Sequence, residues 1–212
     1  MASKLKTEPP ALWIVAGPNG SGKSSAYGMS SVDEPMGSIW IINPDLLARR
    51  IHDFEKLEPL AANMAAVERI EAWLYASIET HQTIGVETVL STPKYRRLVE
   101  KARARGFSIN LIYVYLDSVE LNIERVRTRV RKGGHDVPED RIRSRRLKSF
   151  GEFGWFFTQA DRADVYDNSG ATPRRVLAKR GLSMLSYDRL PEEMIDAVER
   201  EDPGFRSLYD AD

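Results

Sequence analysis

Gly17-Pro18-Asn19-Gly20-Ser21-Gly22-Lys23-Ser24, directly after the apolar run Leu12-Trp13-Ile14-Val15-Ala16, decides how this chain is read. The spacing G-x-x-x-x-G-K-S is that of a phosphate-binding loop between a buried strand and a helix. Gly17, Gly20 and Gly22 let the backbone turn so that successive N–H groups face inward, and the helix that begins near Lys23 adds the positive end of its dipole. The loop, from Gly17 through Pro18, Asn19, Gly20, Ser21, Gly22 and Lys23 to Ser24, is therefore expected to cradle a polyphosphate. Lys23 would reach the β- and γ-phosphates as a mobile cation, and Ser24 would offer its hydroxyl to a Mg²⁺ bridging them.

Working outward, the chain alternates strands and helices. Strands are expected at 12–16, 38–42, 85–90, 108–116 and 163–168, with an unassigned strand or hairpin over 175–185. Helices are expected at 23–28, after Asn43-Pro44-Asp45, and over 61–83, where Met64, Val67, Ile70, Leu74 and Ile78 form an apolar stripe. Further helices are expected at 94–105, stopped by Gly106, and from Val119 on, marked by Ile123, Val126 and Val130 and ended by Gly133-Gly134. Another starts near Asp136, read as a cap with Glu139 three residues on, and runs through Phe150; a last one covers 191–200. Residues 1–10 read as a frayed lead-in, and 29–37 as a polar, turn-rich connection. This order implies an α/β fold with a parallel sheet and helices on both faces.

The 212 residues fit one domain, with 42% apolar against 29% charged residues and no cysteine. Disulfides, thiolate catalysis and cysteine-held zinc are thereby excluded, and His52, His81 and His135 are too scattered to suggest a metal cage. The chain shows neither a membrane-spanning run nor the apolar segment of a secretion signal, so a cytoplasmic protein without a membrane partner is expected. Net charge is zero but uneven: residues 96–148 hold fifteen Lys/Arg against seven Asp/Glu, a surplus of eight. Beside a phosphate loop, such a segment reads as one that closes over polyphosphate.

In an open parallel sheet, functional groups gather beyond the carboxyl ends of the strands. That rule selects the phosphate loop, Asp45, Glu87 and Thr88, Asp117, and Asp167-Asn168. Phosphoryl transfer needs a carboxylate that takes the acceptor's proton, and Asp45 is the candidate, although an acid in a first helical turn is also favoured by the dipole alone. Glu87 reads either as an acceptor-binding carboxylate or as a solvent-facing strand residue. Asp117 is either a metal-binding acid or the cap of the next helix. Arg125 and Arg129 lie four apart on one helix, and Arg141 and Arg145 repeat the spacing beyond Gly133-Gly134. A glycine hinge between two arginine-bearing helices is what a lid requires.

Taken together, the phosphate loop with Ser25, Asn43-Pro44-Asp45, Glu87-Thr88-Val89-Leu90-Ser91, Arg125-Val126, Arg129-Val130, Gly133-Gly134-His135, Val137-Pro138-Glu139 and Tyr166-Asp167-Asn168-Ser169 resemble, in this order, the zeta toxin family of small P-loop kinases. The resemblance spans 12 to about 170. It implies a P-loop NTPase sandwich of three layers, similar to nucleoside and shikimate kinases, with an arginine-rich helical lid at about 131–150, a kinase domain over 11–190, and a C-terminal helix and tail over 191–212. It further implies an ATP- and Mg²⁺-dependent kinase that phosphorylates a hydroxyl of UDP-N-acetylglucosamine or another nucleotide-sugar, as the toxin partner of an antitoxin protein. In that reading Lys23 and Ser24 hold phosphate and metal, Asp45 is the general base, Glu87 and Thr88 bind the acceptor, and Arg129 and Arg145 steady the transferred phosphate. The alternative is a nucleotide-dependent switch or nucleic-acid-binding ATPase, in which 96–148 grips a polyanion.

Overall fold

The computed structural model describes residues 9–24 and 41–210. Expectations for 1–8, Ser25 and the rest of the 23–28 helix, the 29–37 connection and the 38–40 part of the second strand lie outside the described residues. The strands are β1 (Ala11–Ala16), β2 (Ile41–Ile42), β3 (Ile84–Thr88), β4 (Ser108–Tyr115), β5 (Arg162–Asp167), β6 (Arg174–Arg180) and β7 (Ser183–Ser186). They form one sheet in the order β2-β3-β1-β4-β5-β6-β7. The first five run parallel, whereas β6 and β7 finish the edge as an antiparallel hairpin. The α/β class thus stands, with a mixed sheet in place of a wholly parallel one. The cause is local: only two residues, Gly181 and Leu182, separate β6 from β7, too few for a parallel crossover.

β1 lies between β3 and β4, and Leu12, Ile14 and Ala16 face one way while Trp13 and Val15 face the other, all buried. A strand covered on both faces needs such an unbroken apolar run. Its carboxyl end delivers the phosphate loop to the middle of the sheet edge, beside the ends of β3 and β4.

The described helices are α1 (Pro44–Glu55), α2 (Pro59–Glu79), α3 (Arg96–Ala104), α4 (Val119–Arg131), α5 (Glu139–Gln159), α6 (Glu192–Glu201) and α7 (Phe205–Tyr209). The main core sets Leu74 and Ile78 of α2, Leu98 of α3, Phe150, Phe153 and Phe156 of α5 and Ile195 of α6 against Ile14, Leu111 and Tyr113 of the sheet. Phe205 and Tyr209 join the same core, so the chain beyond residue 190 packs with the sheet domain. Among the described residues, no helix is long and apolar enough to cross a membrane.

Three expectations are corrected. Met64 and Val67 of α2 are exposed, and the small Ala62 and Ala66 are buried instead, in a cluster with Ala48 and Ile51 of α1. Two helices approach closely through alanines, so the largest apolar residues do not mark this face. Asp136 caps nothing: Pro138 holds the N-cap position of α5 without a side-chain bond, and the helix continues past Phe150 to Gln159. Ser118, not Asp117, caps α4, its hydroxyl accepting from the Leu121 N–H at 3.3 Å.

Candidate phosphate and acceptor site

The phosphate loop is pinned from two sides. Asn122 of α4 donates through Nδ2 to the Asn19 carbonyl at 2.7 Å, and Asn168, just past β5, donates through Nδ2 to the Ser21 carbonyl at 2.8 Å. Both asparagines are buried. Gly22 adopts φ +87°, and a Cβ there would stand 2.3 Å from Asn168 Nδ2, so the loop can press on this asparagine only without a side chain. The Asn168 carbonyl in turn accepts from Arg125 Nη2 at 2.7 Å, which ties α4 to the loop.

Lys23 is buried and its ammonium donates to the carbonyls of Gly17 at 2.9 Å and Pro18 at 3.1 Å. Burial lowers its pKa from the usual lysine value; Glu87 and Asp45 oppose that shift and Arg129 adds to it. All three side chains are thus close enough for their charges to act on the Lys23 ammonium.

Next to Lys23, the Ser24 hydroxyl donates to Glu87 Oε2 at 3.1 Å, and Asn43 Nδ2 donates to the same oxygen at 2.9 Å. Glu87 reaches this point because Val15 pairs with it in register, one strand over from the start of the loop. Asn43 has a second duty: its Oδ1 accepts from the N–H groups of Asp45 and Leu46 at 3.0 and 3.2 Å, capping α1 with Pro44 in the first turn. The cap fixes Asp45 in the first turn with its side chain exposed.

A cleft of about 310 Å³ runs in front of these groups. Asn19, Gly20 and Lys23 of the phosphate loop line it together with Asp45, Glu87, Thr88, Arg129 and Arg145. Thr88 Oγ1 accepts from the Leu90 N–H at 3.0 Å, steadying Leu90 at φ +57°, a strained conformation for a leucine and one that clusters at ligand sites. A second cavity of about 230 Å³, holding Arg49, His52, Asn63 and His135, shares Asp45 with the first.

The cations of the basic segment are used unevenly. Arg96, Arg103, Arg105, Arg127 and Arg143 pair with Glu152, Asp161, Glu79, Glu139 and Glu120 on the surface. Arg129 and Arg145 have no carboxylate partner among the described residues, and both line the cleft. Arg141 is exposed, and the neighbouring Arg146 is buried against the Phe150 ring, donating to the carbonyls of Leu116 and Asp117 at 2.7 and 3.0 Å.

Of the candidate residues, Asn19, Gly20, Lys23, Asp45, Glu87, Thr88, Arg129 and Arg145 meet in the cleft. Asp117 does not: it is exposed, and its N–H donates to Ser169 Oγ at 2.8 Å. Asp167 accepts from Ser169 and pairs with Arg174, a structural role at the end of β5. Sequence reasoning missed Asn122 and Lys94, which also lines the cleft. Asn122 carried a signal, a polar residue set in the apolar stripe of Val119, Ile123 and Val126. Among the described residues no group of three histidines or acids forms a metal cage. The Ser24 hydroxyl beside the Glu87 carboxylate is nonetheless a pair of hard oxygens that suits Mg²⁺ bound largely through phosphate.

A model of the zeta toxin family matches residues 2–172. An uncharacterized protein of Haemophilus influenzae is 28% identical over 141 residues, covering 63% of this chain and 96% of that one. Among solved structures, AvrRxo1-ORF1:-ORF2 with ATP superposes with a TM-score of 0.67 at 14% identity, covering 89% of this chain. The match spans 63% of the AvrRxo1 chain, so the fold here corresponds to part of that protein. The PezAT chromosomal toxin–antitoxin system of Streptococcus pneumoniae gives a TM-score of 0.62 at 14% identity, over 96% of this chain and 89% of that one. At such identities these likenesses concern the fold.

Proposed function

The chain belongs to the zeta toxin family, and on that premise we propose that it is an ATP-dependent kinase that transfers the γ-phosphate to a hydroxyl of a nucleotide-sugar such as UDP-N-acetylglucosamine. The observation that carries the reading is the cleft itself, where a phosphate loop lysine, two carboxylates and two unpaired arginines share one cavity. Phosphoryl transfer asks for little else than this placement of charge.

In the proposed mechanism the loop N–H groups and Lys23 hold the β- and γ-phosphates, Lys23 exchanging its bonds to Gly17 and Pro18 for phosphate oxygens. Ser24, with Glu87 beside it, would hold a Mg²⁺ that offsets charge on the two phosphates. Asp45 accepts the proton of the acceptor hydroxyl as its oxygen bonds to the γ-phosphorus, while the bond to the β–γ bridging oxygen breaks and ADP leaves with that electron pair. Glu87 and Thr88 orient the acceptor, and Arg129 and Arg145 neutralise charge on the migrating phosphoryl group. The stretch at 131–150 acts as the lid, carrying Arg145 beside Arg129 of α4.

The toxin–antitoxin setting of the PezAT structure supports a protein antitoxin as a partner for this chain too. The test is mass spectrometry of a metabolite extract incubated with the protein and Mg²⁺-ATP, with UDP-sugars and dinucleotides examined first. A species gaining one phosphoryl unit, absent with Lys23→Ala, is expected; ATP binding without any such species would refute the kinase reading.

A further inference from the structure

The loop between α4 and α5 is folded around Arg129. Gly134 N–H donates to the Arg129 carbonyl at 3.0 Å, while Arg129 Nη2 donates to the His135 carbonyl at 2.8 Å, so loop and side chain clasp each other. A Cβ on Gly134 would stand 2.5 Å from Arg129 Cγ, 3.2 Å from its Cδ and 3.0 Å from its carbonyl oxygen. Non-bonded carbons rest about 3.5–4.0 Å apart, and Cγ belongs to the stem of the arginine, so moving the tip alone gives no relief. By contrast, a Cβ on Gly133 or Gly151 would meet nothing within 4 Å.

We infer that Gly134 is a positioning residue for the phosphate-facing arginine: its lack of a side chain lets the loop close on the stem of Arg129 and aim the guanidinium into the cleft. The inference rests on the reading of Arg129 given above. With Nη2 committed to the His135 carbonyl, Nη1 has no hydrogen bond among the described residues and remains for the γ-phosphate. The role of His135 in this clasp belongs to its backbone, not to its ring.

A double-mutant cycle on the full chain tests this, with ATP and ADP affinities measured by titration calorimetry in Mg²⁺. Arg129→Ala is expected to weaken ATP about tenfold, the loss of one charge-assisted hydrogen bond, and to leave ADP, which lacks the γ-phosphate, within about twofold. Gly134→Ala should reproduce that selective loss, and the double variant should be no worse than Arg129→Ala. Gly151→Ala and His135→Ala should match the wild type. Unchanged ADP affinity certifies the fold of each variant. Additive losses from Gly134→Ala and Arg129→Ala would overturn the positioning role while leaving the arginine's role intact. A silent Arg129→Ala would instead remove the arginine from the site, and the inference with it. Should Gly134→Ala not fold, a selective ATP loss in His135→Ala would still overturn the backbone account, and wild-type behaviour would support it.

Discussion

Asn168→Ala removes the buried bond from Nδ2 to the Ser21 carbonyl while sparing the backbone contacts of Asn168 to Arg125 and Tyr115. A buried carbonyl left without its partner costs about 1–3 kcal/mol, more than the roughly 1 kcal/mol net worth of an average hydrogen bond, so a loss of about 1–3 kcal/mol is expected. For a chain of this size that corresponds to a drop of about 2–12 °C in Tm without nucleotide, read by thermal unfolding. Because the carbonyl belongs to the phosphate loop, ATP must re-order what the mutation loosens, and its affinity should fall roughly three- to thirtyfold in calorimetric titration. Asn168→Asp should lose more ATP affinity than Asn168→Ala, since it sets a carboxylate against a carbonyl beside the triphosphate. An Asn168→Ala protein that melts within about 1 °C of the wild type and binds Mg²⁺-ATP normally would refute the pinning role.

Asp45→Asn should cut phosphoryl transfer on the order of 10²-fold or more in a coupled ADP-release assay, with ATP affinity retained, because the amide cannot take the acceptor's proton. Lys23→Met should weaken ATP binding and remove the pH dependence of stability that comes from a cation buried at the expense of its hydration. The sign follows from the lowered pKa: the unfolded chain holds the extra proton between the folded pKa and 10.5, so wild-type stability rises with pH across that window, and the rise should be missing in Lys23→Met. Gly154→Ala should destabilise by about 1–3 kcal/mol in urea unfolding. A Cβ there would stand 2.0 Å from the Ala197 carbonyl oxygen, which forces α5 and α6 apart.

Much of the fold was legible because its signals are local. The phosphate loop, the β-rich run that became β4, and the Asn43-Pro44 helix start each depend on adjacent residues, and each appears where expected. The stripe on α2 holds at Ile70, Leu74 and Ile78 but fails at Met64 and Val67, because the first turns are buried through Ala62 and Ala66, whose small size is an advantage only once α1 is in place. The full length of α5 was hidden by Gly151 and Gly154, which look like a helix end. Gly154 is tolerated there because α6 comes into backbone contact with it. The candidate site was read from strand ends, a rule of topology, whereas Asn122, Lys94 and the clasp of Gly134 on Arg129 depend on distances between segments far apart in the chain or on the path of a loop.

The account rests on the terminal phosphate of ATP lying between Lys23 and Asp45. A crystal structure with Mg²⁺ and a non-hydrolysable ATP analogue measures this directly. The predicted result has Lys23 Nζ moved from the Gly17 and Pro18 carbonyls onto the β- and γ-phosphates, with room for one hydroxyl between the γ-phosphorus and the Asp45 carboxylate, each within about 3–3.5 Å of it. A triphosphate bound with the Asp45 carboxylate turned away, or separated from the γ-phosphorus by protein, would contradict it.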